Sequence, residues 1–155
     1  MELFRITQEK YADDLSGNGA RLYGGRWNSG GLFAIYTSST RALALLETLA
    51  HAPAKMLDVK NYLLVTLSVP DSIKPELIEP AGLPAGWDAP DTRPVTKKLG
   101  DKFLRGKTGL LLAVPSVLVY EEINYMLNPL HPDIRRVKII FKRRIQFDKR
   151  GVVGV

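Results

Sequence analysis

A single-domain α+β fold, with a central mixed β-sheet flanked by helices, is what this sequence predicts, and three observations carry the prediction. The 155 residues suit one domain, large enough to bury roughly 70% of the surface its unfolded chain exposes. Several short apolar runs have the period of strands, covered on one face or on both. Between them, apolar residues recur at i, i+3 and i+4, the spacing of a helix with one packed side. No internal repeat and no linker divides the chain, so one domain over 1–155 is expected.

Taken in order, Met1 to Ile6 reads as a first strand and Asp13 to Gly19 as a polar loop rich in turn formers. Leu32 to Thr37 is apolar on both parities, which predicts a central strand with Tyr36 near its end. Ser38 and Ser39 can cap a helix from about Thr40 to His51, because a serine hydroxyl accepts a bond from an unpaired first-turn N–H. Ala42, Leu45, Leu46 and Leu49 form the stripe expected to face the core, with Glu47 at its border beside Leu43. Asn61 to Val69 alternates cleanly and ends at Pro70. The stretch from Asp71 to Pro94 contains Pro75, Pro80, Pro84, Pro90 and Pro94 and reads as a long irregular excursion, a length at which loops are usually functional. Thr92 and Pro94 then start a helix to about Arg105. Leu110 to Val114 is a short buried strand stopped by Pro115, with Ser116 directly behind it. The last strand, Val137 to Phe147, places Val137, Ile139, Phe141, Ile145 and Phe147 on one parity, interrupted only by Arg143, which marks a bulge or a paired site or, as is commoner, a twist that carries it to the edge.

Composition excludes several classes of function. Hydrophobic residues at 45% and charged residues at 25% are globular values. With no cysteine there is no disulfide, thiolate nucleophile or thiolate-bound zinc, and with only His51 and His131 a metal site would rest almost wholly on carboxylates; none is expected. The opening Met-Glu-Leu-Phe-Arg is no secretory signal and no run of 18 apolar residues occurs, so a soluble cytoplasmic protein without a membrane contact is expected. The net charge of +6 favours anionic partners without selecting among nucleotide, nucleic acid and acidic protein.

Two glycine motifs fail on context. Gly100 to Thr108 resembles a phosphate-binding loop, but five residues separate its glycines and it lies between a helix and a strand, whereas such a loop joins strand to helix. Gly17-Asn18-Gly19 lacks the third glycine of a dinucleotide fingerprint. A different loop has ligand chemistry. Gly24-Gly25 and Gly30-Gly31 flank Arg26, Trp27 and Asn28, and glycine lets backbone approach a ligand closely.

Taken singly, Arg26 is a surface arginine, Glu47 a helix-flank carboxylate, Tyr36 a core aromatic and Ser116 a turn residue. Together they resemble a known family. Gly24-Gly25-Arg26-Trp27-Asn28, the strand ending at Tyr36, Ala42-Leu43-Ala44-Leu45-Leu46-Glu47 with His51, Val114-Pro115-Ser116 and the segment Asn124 to Pro132 resemble the RES domain. The likeness continues through Trp87, Leu99-Gly100-Asp101 and Phe147-Asp148. The arginine, glutamate and serine that give that family its name match Arg26, Glu47 and Ser116. The resemblance implies a fold similar to the ADP-ribosyltransferases, consumption of NAD, and the role of toxin in a bacterial toxin–antitoxin pair with an Xre-type antitoxin as partner. A homodimer is left open.

The residue types suit cleavage of the nicotinamide–ribose bond, which passes through an oxocarbenium-like state. In that reading Glu47 stabilises the developing positive charge and binds a ribose hydroxyl, and Arg26 offers a planar fork to pyrophosphate or ribose. Tyr36 supplies a ring for nicotinamide to stack on, Ser116 orients substrate, and Trp27 and Tyr23 line the pocket or pack the core. Arg26 is expected to keep Glu47 ionised against desolvation. Asn124 and Asn128 are assigned to the turn around Pro129 and Pro132, and His51 to the helix C-terminus. Water, phosphate or a protein side chain could each accept the ADP-ribosyl group. The competing reading is a nucleic-acid-binding module using Lys138, Lys142, Arg143, Arg144, Lys149 and Arg150, but no aromatic residues interleave with those charges and no recognised motif accompanies them.

Overall fold

The computed structural model describes residues 1–90 and 94–147. Its strands are β1 (Glu2–Gln8), β2 (Ile35–Ser38), β3 (Tyr62–Ser68), β4 (Glu76–Leu77), β5 (Leu111–Pro115), β6 (Ile123–Leu127) and β7 (Lys138–Ile145). Helices α1 (Asn18–Tyr23), α2 (Arg41–His51), α3 (Ala54–Val59) and α4 (Pro94–Gly106) connect or cover them. All seven strands join one sheet in the order β4-β5-β6-β2-β1-β3-β7. The β4–β5 pair is parallel and every other pair antiparallel, so the sheet is mixed and the α+β expectation is met. Thr92, Asp148, Lys149 and Arg150, named in the sequence reading, lie outside the described residues.

Strand alternation divides the core into two faces. Leu3, Ile35, Val65, Leu67, Leu111 and Leu127 point to one face and pack with Ala12, Ile73 and Val137. The opposite face carries Phe4 and Leu64 under Ala44 of α2, and Leu112, Val114 and Met126 under Trp27, Trp87, Phe103 and Leu104. Tyr36, Ser38 and Asn124 share this second face, because Tyr36 pairs with Met126 and Ser38 with Asn124. They therefore lie between α2 on one side and the α4 packing unit on the other.

Several elements depart from expectation. On α2 the inward residues are Leu43 and Ala44, while Ala42 and Leu46 are exposed, so the predicted stripe is rotated away from the core. That rotation brings Glu47, one turn after Leu43, to the inner side. The cap is the Thr40 hydroxyl, which accepts from the Leu43 N–H at 3.0 Å; Ser38 is still in its strand. Leu32 and Phe33 precede β2 as irregular backbone. Strands β4 and β6 and helix α1 arise where loops or turns were expected, and α3 lies in a stretch for which no element was predicted. Strand β7 has an irregular register opposite Thr66 and Leu67, so Ile140 is the inserted residue and Arg143 pairs regularly with Leu64. The bulge carries Phe141, Arg143 and Ile145 together to the face opposite Ile139, so it does not set the arginine apart; β7 is an edge strand and Arg143 is exposed on it, which is where its charge is tolerated.

Helix α4 is pressed onto the Gly24–Gly31 loop. A Cβ on Gly100 would overlap the Trp27 carbonyl. The Asp101 carboxylate accepts from the Ser29 N–H at 2.8 Å and the Ser29 hydroxyl at 2.6 Å, and the Thr96 hydroxyl donates to the Arg26 carbonyl at 2.7 Å. Gly100→Ala must push helix and loop apart, a change of the overpacking kind that costs about 3 kcal/mol. Thermal unfolding followed by circular dichroism should show a midpoint about 10 °C lower than the parent; an unchanged midpoint would mean the contact is slack.

Candidate active site

Glu47 is held by donors from three elements. Its side chain is 17% exposed. Oε1 accepts from Asn124 Nδ2 on β6 at 2.6 Å and from the Ser116 hydroxyl after β5 at 2.8 Å. Oε2 lies 3.2 Å from His51 Nε2, one turn further along α2. Burial alone would raise the carboxyl pKa, but the hydrogen bonds from His51, Asn124 and Ser116 outweigh it and hold Glu47 below the usual glutamate range. Arg26 is not among the groups that do so, which corrects the expectation that the arginine keeps this carboxylate ionised.

Ser116 is fully buried. Its oxygen accepts from the N–H groups of Leu118 at 3.1 Å and Val119 at 3.2 Å while its proton goes to Glu47. With its proton and lone pairs used in this way, the hydroxyl acts on the site through the carboxylate. Pro115, the last residue of β5, leaves no freedom in the chain just before it.

Arg26 sits in the loop that begins at Gly24, whose φ of 69° requires glycine. Gly25 is needed for a different reason: a Cβ there would come within 2.8 Å of the Tyr36 hydroxyl. The Gly25 N–H bonds the Asn28 carbonyl at 3.0 Å and closes the turn. From it the Arg26 guanidinium donates to the carbonyls of Trp87 at 3.0 Å and Ala89 at 2.9 Å, fastening the proline-rich excursion across the loop. Asp88 in the same excursion accepts from the Tyr120 hydroxyl at 2.7 Å. One strap therefore joins the arginine loop to the loop that follows Ser116.

Tyr36 is half-buried. Its hydroxyl donates to Asn28 Oδ1 at 2.7 Å and accepts from the Trp27 N–H at 3.2 Å, and burial pushes its pKa well above the ordinary tyrosine range. Trp27 is 3% exposed and packs against Trp87, so its ring belongs to the core. Tyr23, by contrast, is 87% exposed at the end of α1.

Tyr36, Glu47 and Ser116 therefore gather on one face of the sheet, with the Arg26 loop at its flank. Asn128 has the expected structural role, accepting from the Leu130 N–H at 3.1 Å and donating to the Leu104 carbonyl at 3.1 Å. Asn124 does not: it binds the carboxylate and is the residue sequence reasoning missed. A concavity of about 430 Å³ lined by Pro84, Trp87, Val95 and Lys98 lies elsewhere and includes none of the four. Among the described residues no group of three or more His, Asp or Glu side chains could hold a metal ion, and no helix is long and apolar enough to cross a membrane.

Comparison with known proteins gives concordant results. The family model described as the RES domain matches residues 2–148. The Prs ADP-ribosylating toxin of Sphingobium sp. (strain YBL2) is 43% identical over 143 residues, covering 91% of this chain and 88% of the relative. Toxin Res of Photorhabdus laumondii is 33% identical over 144 residues, covering 92% and 91%. Among solved structures, a chain in the crystal structure of the M. tuberculosis MbcT–MbcA toxin–antitoxin complex superposes with a TM-score of 0.76 at 23% identity, covering 94% of this chain and 84% of that one. The fold is the same.

Because the Glu47 pKa is depressed in the folded chain, its bonds stabilise the fold above the unfolded-state pKa of about 4.3, and that contribution is lost as pH falls through the folded value. Ser116→Ala removes one donor and strands two N–H groups, at a cost of about 1–3 kcal/mol. Urea unfolding of parent and variant should differ most at pH 6–7 and converge partly only as pH falls through the depressed folded value of Glu47, where its carboxyl becomes protonated in both. A gap independent of pH would uncouple Ser116 from the charge on Glu47.

Proposed function

The chain belongs to the RES domain family, and from that membership we propose that it is the toxin of a bacterial toxin–antitoxin pair that depletes NAD by cleaving the nicotinamide–ribose bond. The observation that carries this reading is the ionised, oriented Glu47 carboxylate, gripped by Ser116, Asn124 and His51 on the face that also bears Tyr36. As the bond breaks, nicotinamide takes the bonding pair and leaves neutral, while positive charge grows on the ribose. A carboxylate fixed beforehand favours that state more than the ground state, because it needs no reorganisation when the charge appears. Water then adds to the ribose and releases ADP-ribose, nicotinamide and a proton; phosphate in place of water would give a phosphorylated ADP-ribose.

The remaining side chains fit as binding groups. Arg26 uses two N–H donors on carbonyls and keeps three for the pyrophosphate. The Tyr36 ring offers a stacking surface, its hydroxyl being committed to Asn28 and Trp27. Ser116 serves through Glu47. Trp27 contributes by shaping the Arg26 loop from the core. A cognate antitoxin is the expected protein partner, and its Xre type rests on the family resemblance.

A second reading has its own support, since the relative that is 43% identical is named an ADP-ribosylating toxin. In that reading a side chain of a target protein replaces water, and the first step is unchanged.

Purified protein with NAD separates these outcomes. Glu47→Gln preserves shape and still lets Oε1 accept two bonds but removes the charge; kcat should fall about 100-fold or more with KM little altered. Free ADP-ribose or its phosphate among the products supports the NAD-depleting reading, and label retained on protein supports the transferase. Undiminished turnover in Glu47→Gln would remove the carboxylate from the mechanism.

A further inference from the structure

The bonds around Glu47 do not treat its two oxygens alike. Oε1 receives Asn124 Nδ2 and the Ser116 hydroxyl, and with both lone pairs engaged has no further capacity in the plane of the carboxylate. Among the described residues Oε2 meets only His51, whose side chain is 65% exposed. Asn124 is itself held: the Ser38 hydroxyl donates to its Oδ1 at 2.7 Å, from a residue that is 4% exposed. An ionised carboxylate can only accept, so the asparagine must turn its NH₂ toward Glu47. Its carbonyl then faces Ser38, and the serine, able to donate or accept, must donate. Every hydrogen in the chain from Ser38 through Asn124 therefore points toward the negative charge, and protonation of Oε1 would set a donor against a donor.

We propose that Ser38 and Asn124 are positioning residues, Ser38 orienting the Asn124 amide that together with Ser116 saturates Oε1, and that they so make Oε2 the oxygen that meets the ribose hydroxyl of the substrate. This rests on the NAD-cleaving reading for the identity of the ligand, while the positioning itself stands on geometry alone. Strand pairing provides the rigidity. Ser38 and Asn124 are direct cross-strand partners on β2 and β6, and neither can move without breaking ladder bonds at the centre of the sheet. Helix α2 is thus registered against the sheet through one carboxylate oxygen, and the other lies beside the exposed His51 imidazole.

The test combines a readout that needs no substrate with one that does. In ligand-free protein the Glu47 carboxyl carbon, labelled with carbon-13, should titrate about one pH unit higher in Asn124→Ala than in the parent. It should rise by less in Ser38→Ala and return to the parent value in Ser38→Thr, which restores the hydroxyl. The acid limb of kcat/KM for NAD should move up by the same amounts, with kcat falling about tenfold or more in Asn124→Ala. Asn124→Asp gives an independent signature, since it donates only when protonated and should regain activity as pH is lowered. A crystal of the parent soaked with a non-cleavable carbocyclic NAD analogue should show the ribose hydroxyl on Oε2. Titration of Glu47 unmoved in both Asn124→Ala and Ser38→Ala, or a hydroxyl seated on Oε1, would overturn the proposal. Absence of NAD turnover in the parent, with the titration shifts present, would overturn the NAD reading and leave the positioning intact.

Discussion

A carboxylate taken largely out of water is the constraint around which this structure is arranged. Desolvation of Glu47 opposes its charge, and an unpaired buried ion would protonate or pull its helix outward. The chain avoids both with hydrogen bonds whose donors lie 69 and 77 residues away in sequence, Ser116 and Asn124, and one on the same helix, His51. Bonds to charged groups contribute about 1.5–3 kcal/mol each, enough together to offset the burial. The carboxylate consequently fixes the docking angle of α2. It also explains why that helix presents Leu43 and Ala44, and not its longer leucine stripe, to the sheet.

The same logic of fastening applies on the other flank. The Gly24–Gly31 loop has little regular structure, yet α4 bears on it through Gly100, Thr96 and Asp101. Asn28, fully buried, binds it internally through the Ala20 and Leu32 carbonyls and the Tyr36 hydroxyl. Arg26 is held at its backbone by Thr96 while its guanidinium spans to Trp87 and Ala89. An arginine whose stem and head are both restrained loses little freedom on meeting an anion. The excursion that looks like a free loop from its prolines is a strap, with Trp87 in the core and Asp88 tied to Tyr120.

Much of this is legible in the amino-acid sequence. Strands β1, β3 and β5 and helix α4 follow from period and proline placement, because each buries a face whose pattern is local. Arg26, Glu47 and Ser116 stand out by their motifs. The elements that escape a sequence reading are those whose residues look like something else. Ile123 to Leu127 has Asn124 as its second residue, and an asparagine so soon after Glu121-Glu122 resembles a turn; only pairing with β2 on one side and β5 on the other makes it a central strand. Helix α2 has apolar residues on two sides, so hydrophobic period alone could not say which side is covered.

Sequence by itself determined the class of fold, the absence of thiol chemistry and the identity of the family, because these depend on composition, local period and short motifs. Tertiary structure alone decided what holds Glu47 ionised. The sequence offered Arg26 for that role on charge; the fold gave it to an amide, a hydroxyl and an imidazole, and turned the arginine to a strap. The physical reason is range. A hydrogen bond requires atoms within about 3 Å of each other, and residues as far apart as 47, 116 and 124 reach that distance only when strand register and helix docking are both set.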